Sequence, residues 1–435
     1  MPSGDLILLG KFGIGIGCAV LTVLLAASSR PQMLTRRTFD VVAFVLLLGS
    51  RLALFAGIYL VLGAEVTSDV GRYYYPEGRA ALAGGLIYRD IATTYAPLFP
   101  YLLAGPLVVW DSAKAIVLTA ILIEAASLPL WLAAGRRWLR ESTVRTSAVL
   151  YVTSPIPLVN VAMNGQNQVW HALLLAAALL LLRRRDTISG LLDGLSVAAI
   201  KIIGIVFAPV LWLFAARRVG WTIAFLLPAV LVYAACFALL GLTWEEVSFP
   251  LRKQGGHVTA GNLPYLTTAF GVDPTADAYR TVTTLLVALG LVIVFLASWA
   301  RGAPRHAGNI FYLLTLILLT TLLLGKNSYP SYLVLAFFPL CVTYAAGPAG
   351  GSLRWSAAAW FGLFGVAAVL EPSLVFRWIK PDGVGDLGLL FTADLPLGRE
   401  RGRIVAFTLC ELTLIAAYLG IWWKAWSTIG RPGRV

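Results

Sequence analysis

Long apolar runs separated by short basic connections set the pattern of this chain. The runs fall at roughly 6–26, 39–62, 113–135, 146–163, 169–182, 188–202, 204–216, 219–242, 281–300, 309–325, 332–347, 355–370 and 404–423. A bilayer core of about 30 Å takes about 20 apolar residues at ~1.5 Å of rise each. The pattern therefore predicts an all-α polytopic membrane protein, one bundle of about 13 transmembrane helices. A single membrane domain over 1–435 is the simplest organisation. The flank before 6–26 lacks a basic leader, so this run is read as a retained first span.

Basic clusters orient the spans. Arg30, Arg36 and Arg37 follow the first run; Arg136, Arg137 and Arg140 follow the third; Arg183, Arg184 and Arg185, then Arg217 and Arg218, then Arg301 and Arg305 follow later ones. If all are cytoplasmic, the N-terminus lies outside and the C-terminus inside. Two segments need separate treatment. The run 97–110 is too short to cross, so it is laid along the interface. The stretch 187–216 has basic clusters on both sides, so it must enter and return within about 30 residues. Its turn falls near Lys201 and Gly204, below the far surface, where non-helical backbone needs protein or a watery cavity around it. Lys201 is thus expected inside a polar cavity.

This topology gathers the polar loops on one face. They are 64–112, the tight turn 164–168, 243–280, the short 326–331 and 371–403. The opposite loops are short and basic. No internal repeat suggests the inverted halves of a secondary transporter.

Composition agrees with the pattern. Hydrophobic residues make up 59% of the chain and charged residues 13%, against about 25% charged in soluble domains; the mean hydropathy is +0.81. The net charge of +13 is spread through the connections. That distribution implies membrane lipids as partners and no nucleic acid. All four cysteines lie in apolar runs and are read as core filler. The histidines, at 171, 257 and 306, are isolated, so neither metal nor cofactor is expected; the pair Glu245–Glu246 is the one weak place for a divalent ion.

The loop 64–112 concentrates charge and tyrosine at a membrane edge. Pro76 and Gly84–Gly85 frame a short helix over 76–83. Ser68 and Asp69 suit the cap of a turn over 69–74, which would set Asp69 and Tyr73 on one face as i,i+4 neighbours. Glu77 and Asp90 are expected to be solvated or paired with Arg79 and Arg89. The tyrosines and Trp110 read mainly as an interfacial aromatic belt.

The order Asp69, Tyr73, Leu82, Gly84, Tyr88 and Tyr95-Ala96-Pro97-Leu98 resembles the first extracytoplasmic loop of the GT-C glycosyltransferases, most of all the polyprenol-phosphate-mannose-dependent mannosyltransferases. The resemblance continues through Gly165-Gln166-Asn167, the stretch 189–195 with Lys201 after it, and 326–340. It covers about half the chain, and it carries more in the order of its motifs than in any one of them. The chain departs from the family pattern by an extra span before the loop and by Ala-Pro where Pro-Pro is common.

The resemblance implies transfer of a sugar from a polyprenyl-phosphate donor to a hydroxyl of a lipid-linked or glycan acceptor, with inversion and without a cofactor. Such a reaction needs a carboxylate to take the hydroxyl proton and cations or donors to hold the leaving phosphate. Asp69 is the expected base; a helix cap at the membrane surface would use the same residue. Lys201 leads the phosphate candidates, because an intramembrane lysine is costly, although it could instead snorkel to the interface. Arg252, Lys253, His257 and Lys326 follow, the first three also fitting a solvated loop. Tyr73, Asn164, Gln166, Asn167 and Tyr329 are candidates for the sugar or the acceptor; Asn164, Gln166 and Asn167 equally suit helix caps. Mannose follows from the resemblance, with arabinose and glucose open. A transporter or flippase of a lipid-linked sugar is the main alternative, and a structural membrane subunit the second.

Overall fold

The computed structural model describes residues 4–255, 259–273, 276–346, 353–374 and 399–429. In order these form α1 (Gly4–Ala26), the short α2 (Arg30–Met33), α3 (Arg36–Phe55), α4 (Tyr75–Leu82), α5 (Phe99–Val109), α6 (Ala113–Trp138), α7 (Glu141–Thr153), α8 (Pro155–Ala162) and α9 (Gln168–Leu181). There follow α10 (Asp186–Ala199), α11 (Ala208–Phe214), α12 (Arg218–Ala238), α13 (Trp244–Gly255), α14 (Asp277–Ala300), α15 (Asn309–Leu324), α16 (Phe337–Ala345), α17 (Trp355–Leu374) and α18 (Arg399–Thr428). Among the described residues, seven helical stretches are long and apolar enough to cross a membrane: Leu8–Ala26, Arg36–Val61, Ala113–Trp138, Arg218–Ala238, Asp277–Ala300, Trp355–Leu374 and Val405–Thr428. The other expected spans coincide with shorter or broken helices, and α5, at 11 residues, is too short to cross.

The breaks have local causes. The run expected as one span over 146–163 divides at Ser154, because Pro155 has no N–H and disfavours a helical residue before it. The Ser154 hydroxyl then caps α8 by accepting from the Ile156 N–H. The predicted turn near 201 is present. Helix α10 ends at Ala199, Lys201 is extended (φ −163°, ψ 143°), and a 3-10 segment, Ile202–Phe207, leads into α11.

Helix α10 is held by its neighbour. Gly190 and Gly194 sit one turn apart against α12, where a methyl group would stand 2.3 Å from the Trp221 carbonyl oxygen and 2.1 Å from that of Phe225. Small residues at this spacing let two membrane helices touch backbone to backbone. Between α3 and α6, Arg51 pairs with Glu124 at 3.1 Å, both fully buried, and a second guanidinium nitrogen donates to the Val152 carbonyl near the end of α7. These two charges fell inside expected spans, and the structure uses each to satisfy the other. The second half packs α1 on α17, α17 on α18, and α18 on α15.

Candidate active site

The site begins where α3 runs out. A π-helical segment, Ala56–Val61, extends it, and Gly63 in the left-handed region turns the chain into the loop. The turn expected over 69–74 forms with a different register: Val70–Tyr74 is π-helical, and the Tyr75 N–H bonds to the Val70 carbonyl. The wider turn sets residue i+5, not i+4, beneath residue i. The expected Asp69–Tyr73 pairing is therefore replaced. Tyr74 is buried beside Asp69, whereas Tyr73 is half-exposed.

Asp69 does not cap this turn. Capping passes to Ser68, whose hydroxyl accepts from the Val70 N–H and donates to the Asn164 carbonyl. The Asp69 carboxylate instead accepts from the Gln166 side chain at 3.1 Å, the one hydrogen bond it receives among the described residues. The 164–168 turn can approach so closely because of Gly165. Its φ is +59°, and a methyl group there would stand 2.6 Å from a Val70 methyl.

Next to Asp69 lies a buried tyrosine pair. Tyr95 donates to the Tyr74 hydroxyl at 3.3 Å, the rings meet edge to face at 5.2 Å, and Phe99 packs on both. The Asn167 backbone N–H faces the Tyr74 hydroxyl. Burial first, then the Tyr74 hydroxyl and the Asp69 charge, raise Tyr95 far above the usual phenol range, so it remains a neutral donor.

Against the Tyr95 ring stands Lys201. Its ammonium lies 5.1 Å from the centre of the Tyr95 ring and 5.5 Å from that of Tyr332, and it donates to the Tyr332 hydroxyl at 3.3 Å. The half-buried cation thus stands against the Tyr95 ring and at the hydroxyl edge of Tyr332. An ammonium has three donors, and the Tyr332 bond uses one. The backbone is tied too, since the Ala96 N–H donates to the Ile200 carbonyl. Tyr329 packs edge to face on Tyr332. Burial raises Tyr329 most, followed by Tyr332 and the charges of Asp69 and Glu371, which places it within electrostatic reach of both acids.

The remaining candidates divide. Lys326 lies in a turn bonded to the 259–262 segment: its carbonyl accepts from the Thr259 N–H, and the Ser328 hydroxyl donates to the Gly261 carbonyl. Burial and the like charge of Arg280 lower the Lys326 ammonium. The chain continues from this turn into a 3-10 segment, Pro330–Ala336. From the other side, the Gly261 N–H donates to Glu411 of α18, a fully buried acid. Arg252 is exposed and turned back on Glu245, by a 2.6 Å bond to its carbonyl and a 3.6 Å ion pair. Lys253 is exposed at the end of α13, over the Phe249 ring. His257 and most of 371–403 lie outside the described residues. Asn164 offers its carbonyl to Ser68, and the Asn167 side-chain nitrogen is buried without a partner among the described residues.

Several expectations for the loop need correction. Glu77 is neither solvated nor paired with Arg79. It is 7% exposed and accepts from the Thr93 hydroxyl at 2.9 Å, while Arg79 faces Asp111 at 3.7 Å. Burial pushes Glu77 up to about 7, against the opposing effects of the Thr93 bond and the Lys253 charge. Arg89 pairs with Glu246 of α13, not with Asp90, whose carboxylate accepts from the Leu86 N–H. Glu246 also accepts from the Thr243 N–H and hydroxyl, which commits it to capping α13. The tyrosines are not all an interfacial belt, since Tyr74 and Tyr95 form the middle of the site. Tyr332 was missed as well. Its one signal in the sequence is its place beside Tyr329–Pro330, in a segment singled out on other grounds.

The arrangement sets a carboxylate and a caged ammonium near one neutral tyrosine pair. The first can take a proton, and the second can hold an anion. A family model described as glycosyltransferase family 87 matches residues 93–325, and no curated protein matches the chain. The match covers more than half of the sequence, and the chain belongs to this GT-C-type family of membrane glycosyltransferases. The transporter and structural-subunit readings give way to that membership.

Proposed function

We propose that this member of glycosyltransferase family 87 moves a sugar, read as mannose, from a polyprenyl phosphate to a hydroxyl of a lipid-linked or glycan acceptor on the extracytoplasmic face of the cell membrane. Asp69 takes the proton of the acceptor hydroxyl. The acceptor oxygen attacks the anomeric carbon from the face opposite the phosphate, the bond from that carbon to the phosphate oxygen breaks, and the configuration inverts. Polyprenyl phosphate leaves with the electron pair, and Lys201 holds its oxygens. Gln166 orients the Asp69 carboxylate. Lys326, Arg252, Lys253 and His257 remain secondary candidates for the phosphate; Tyr73, Asn164, Asn167 and Tyr329 remain candidates for the sugar or acceptor.

One observation carries this reading. The cage of Tyr95 and Tyr332 presents Lys201 next to a tyrosine pair that lies within electrostatic reach of Asp69. A half-buried ammonium facing aromatic rings gains most from a ligand that brings negative charge.

The test is transfer of radiolabelled mannose from polyprenyl phosphate to a lipid acceptor by the purified full chain. Asp69→Asn is expected to keep the thermal midpoint and to lose about 10²–10⁴ in rate. Near-native turnover in that variant removes Asp69 as the base. Transfer from a nucleotide sugar but not from the lipid phosphate removes the donor.

A further inference from the structure

Lys201 owes its surroundings to a loop segment without regular structure. Residues 93–96 are neither helix nor strand, yet every polar atom of Tyr95 has a side-chain partner. Its N–H donates to the Thr93 hydroxyl at 3.2 Å, its carbonyl accepts from the Tyr88 hydroxyl at 2.9 Å, and its own hydroxyl donates to Tyr74. Thr93 in turn donates to Glu77. Buried backbone groups must find partners. Here the partners come from side chains, which fix a ring position as well as a chain path.

The chemistry of each link favours one arrangement. The Thr93 hydroxyl donates to Glu77, which leaves a lone pair on the same oxygen for the Tyr95 N–H. Tyr88 reaches the Tyr95 carbonyl from a left-handed backbone conformation (φ 66°), which a bulky residue keeps only when its surroundings hold it there. The turn carrying Tyr88 is packed against Cys236, Leu242 and Val247 of the α12–α13 corner. A buried carboxyl group and a strained tyrosine thus converge on one residue, whose ring faces the Lys201 ammonium.

We propose that Thr93, backed by Glu77, and Tyr88 are positioning residues that set the Tyr95 ring, and through it Lys201, for the phosphate of the lipid donor. The proposal rests on the phosphate role of Lys201. None of the three need touch substrate. They act by fixing one wall of the cage and the 95–96 backbone that bonds to Ile200.

The experiment measures binding of a polyprenyl phosphate to the full chain in nanodiscs, with thermal midpoints as a check on folding. Thr93→Val, which removes both bonds of the hydroxyl, is expected to weaken binding about tenfold, or ~1.4 kcal/mol. Thr93→Ser is expected to restore it to within about twofold. Tyr88→Phe, a gentler cut elsewhere in the network, is expected to cost about threefold. In a Lys201→Met background, where the prenyl chain keeps binding measurable, neither Thr93→Val nor Tyr88→Phe should add more than about twofold, because residues acting through one another are not additive. A general loss of folding would instead lower the active fraction and leave the affinity of the remainder unchanged. The network is overturned if folded Thr93→Val binds like the wild type, or if its loss is the same with and without Lys201. Unchanged binding in Lys201→Met alone overturns the phosphate role, and the network with it.

Discussion

Two regions of this protein offer cations to a phosphate, and they are built in opposite ways. Lys201 follows a helix packed backbone to backbone on its neighbour, and its ammonium stands between two buried tyrosine rings. Arg252 and Lys253 lie exposed near the end of α13, where Arg252 already faces Glu245. The first cation is placed before a ligand arrives. The second pair must be ordered by the ligand, at a cost in side-chain entropy and against solvent screening. Charge alone does not distinguish the two regions; depth and enclosure do.

Between these regions the largest effect is expected from Lys201→Met, which keeps the length of the side chain and removes the charge. A desolvated ammonium–phosphate contact is worth roughly 1.5–3 kcal/mol. The expected loss in kcat/KM for the lipid donor is therefore about 10–100-fold, with most of it in KM. A loss below threefold would put Lys201 on a par with the exposed cations.

Glu77→Gln tests the enclosure of the same region. Burial raises Glu77 to about 7 from 4.5, so between these pH values the folded chain holds a proton that the unfolded chain releases. Stability is thus expected to fall as the pH rises through that window, and to level off above it. The span of about 2.5 units corresponds to ~3 kcal/mol at most. The glutamine variant should lose this dependence, so its thermal midpoint relative to the wild type should climb from pH 5 to pH 8. A constant difference would mean that Glu77 is better solvated than its position implies.

The smallest effect is expected at Arg252→Ala. An exposed ion pair contributes little, and donor KM should change by no more than about threefold, less at high salt. A tenfold loss would bring α13 into the phosphate site and erase the contrast.

The two regions also differ in how far they could be read from the sequence. The apolar runs located the helices, and the arginines flanking 187–216 located the break at Lys201, because run length and charge are local properties. The cage was not legible. Tyr95, Lys201 and Tyr332 are more than 100 residues apart in successive steps, and nothing in one sequence says which tyrosine a given lysine will meet. The π register at Val70–Tyr74 was missed because spacing alone does not separate it from an α-turn. Glu77 was misplaced because its burial depends on Thr93 and on α5, in a loop with no period to follow. Asp69 stood out in the sequence as an acid at a membrane edge, but its Gln166 partner became visible only in the structure.

Gly190 and Gly194 have a consequence beyond the packing of α10. Apolar side chains at a helix interface compete with lipid tails, which are equally greasy, so such contacts shift when the amphiphile changes. A seam of bare backbone leaves no room for a tail to enter. The stretch that ends in Lys201 is thereby anchored by shape and not by solvent. The ammonium should keep its place in thick bilayers, thin bilayers and detergent micelles alike.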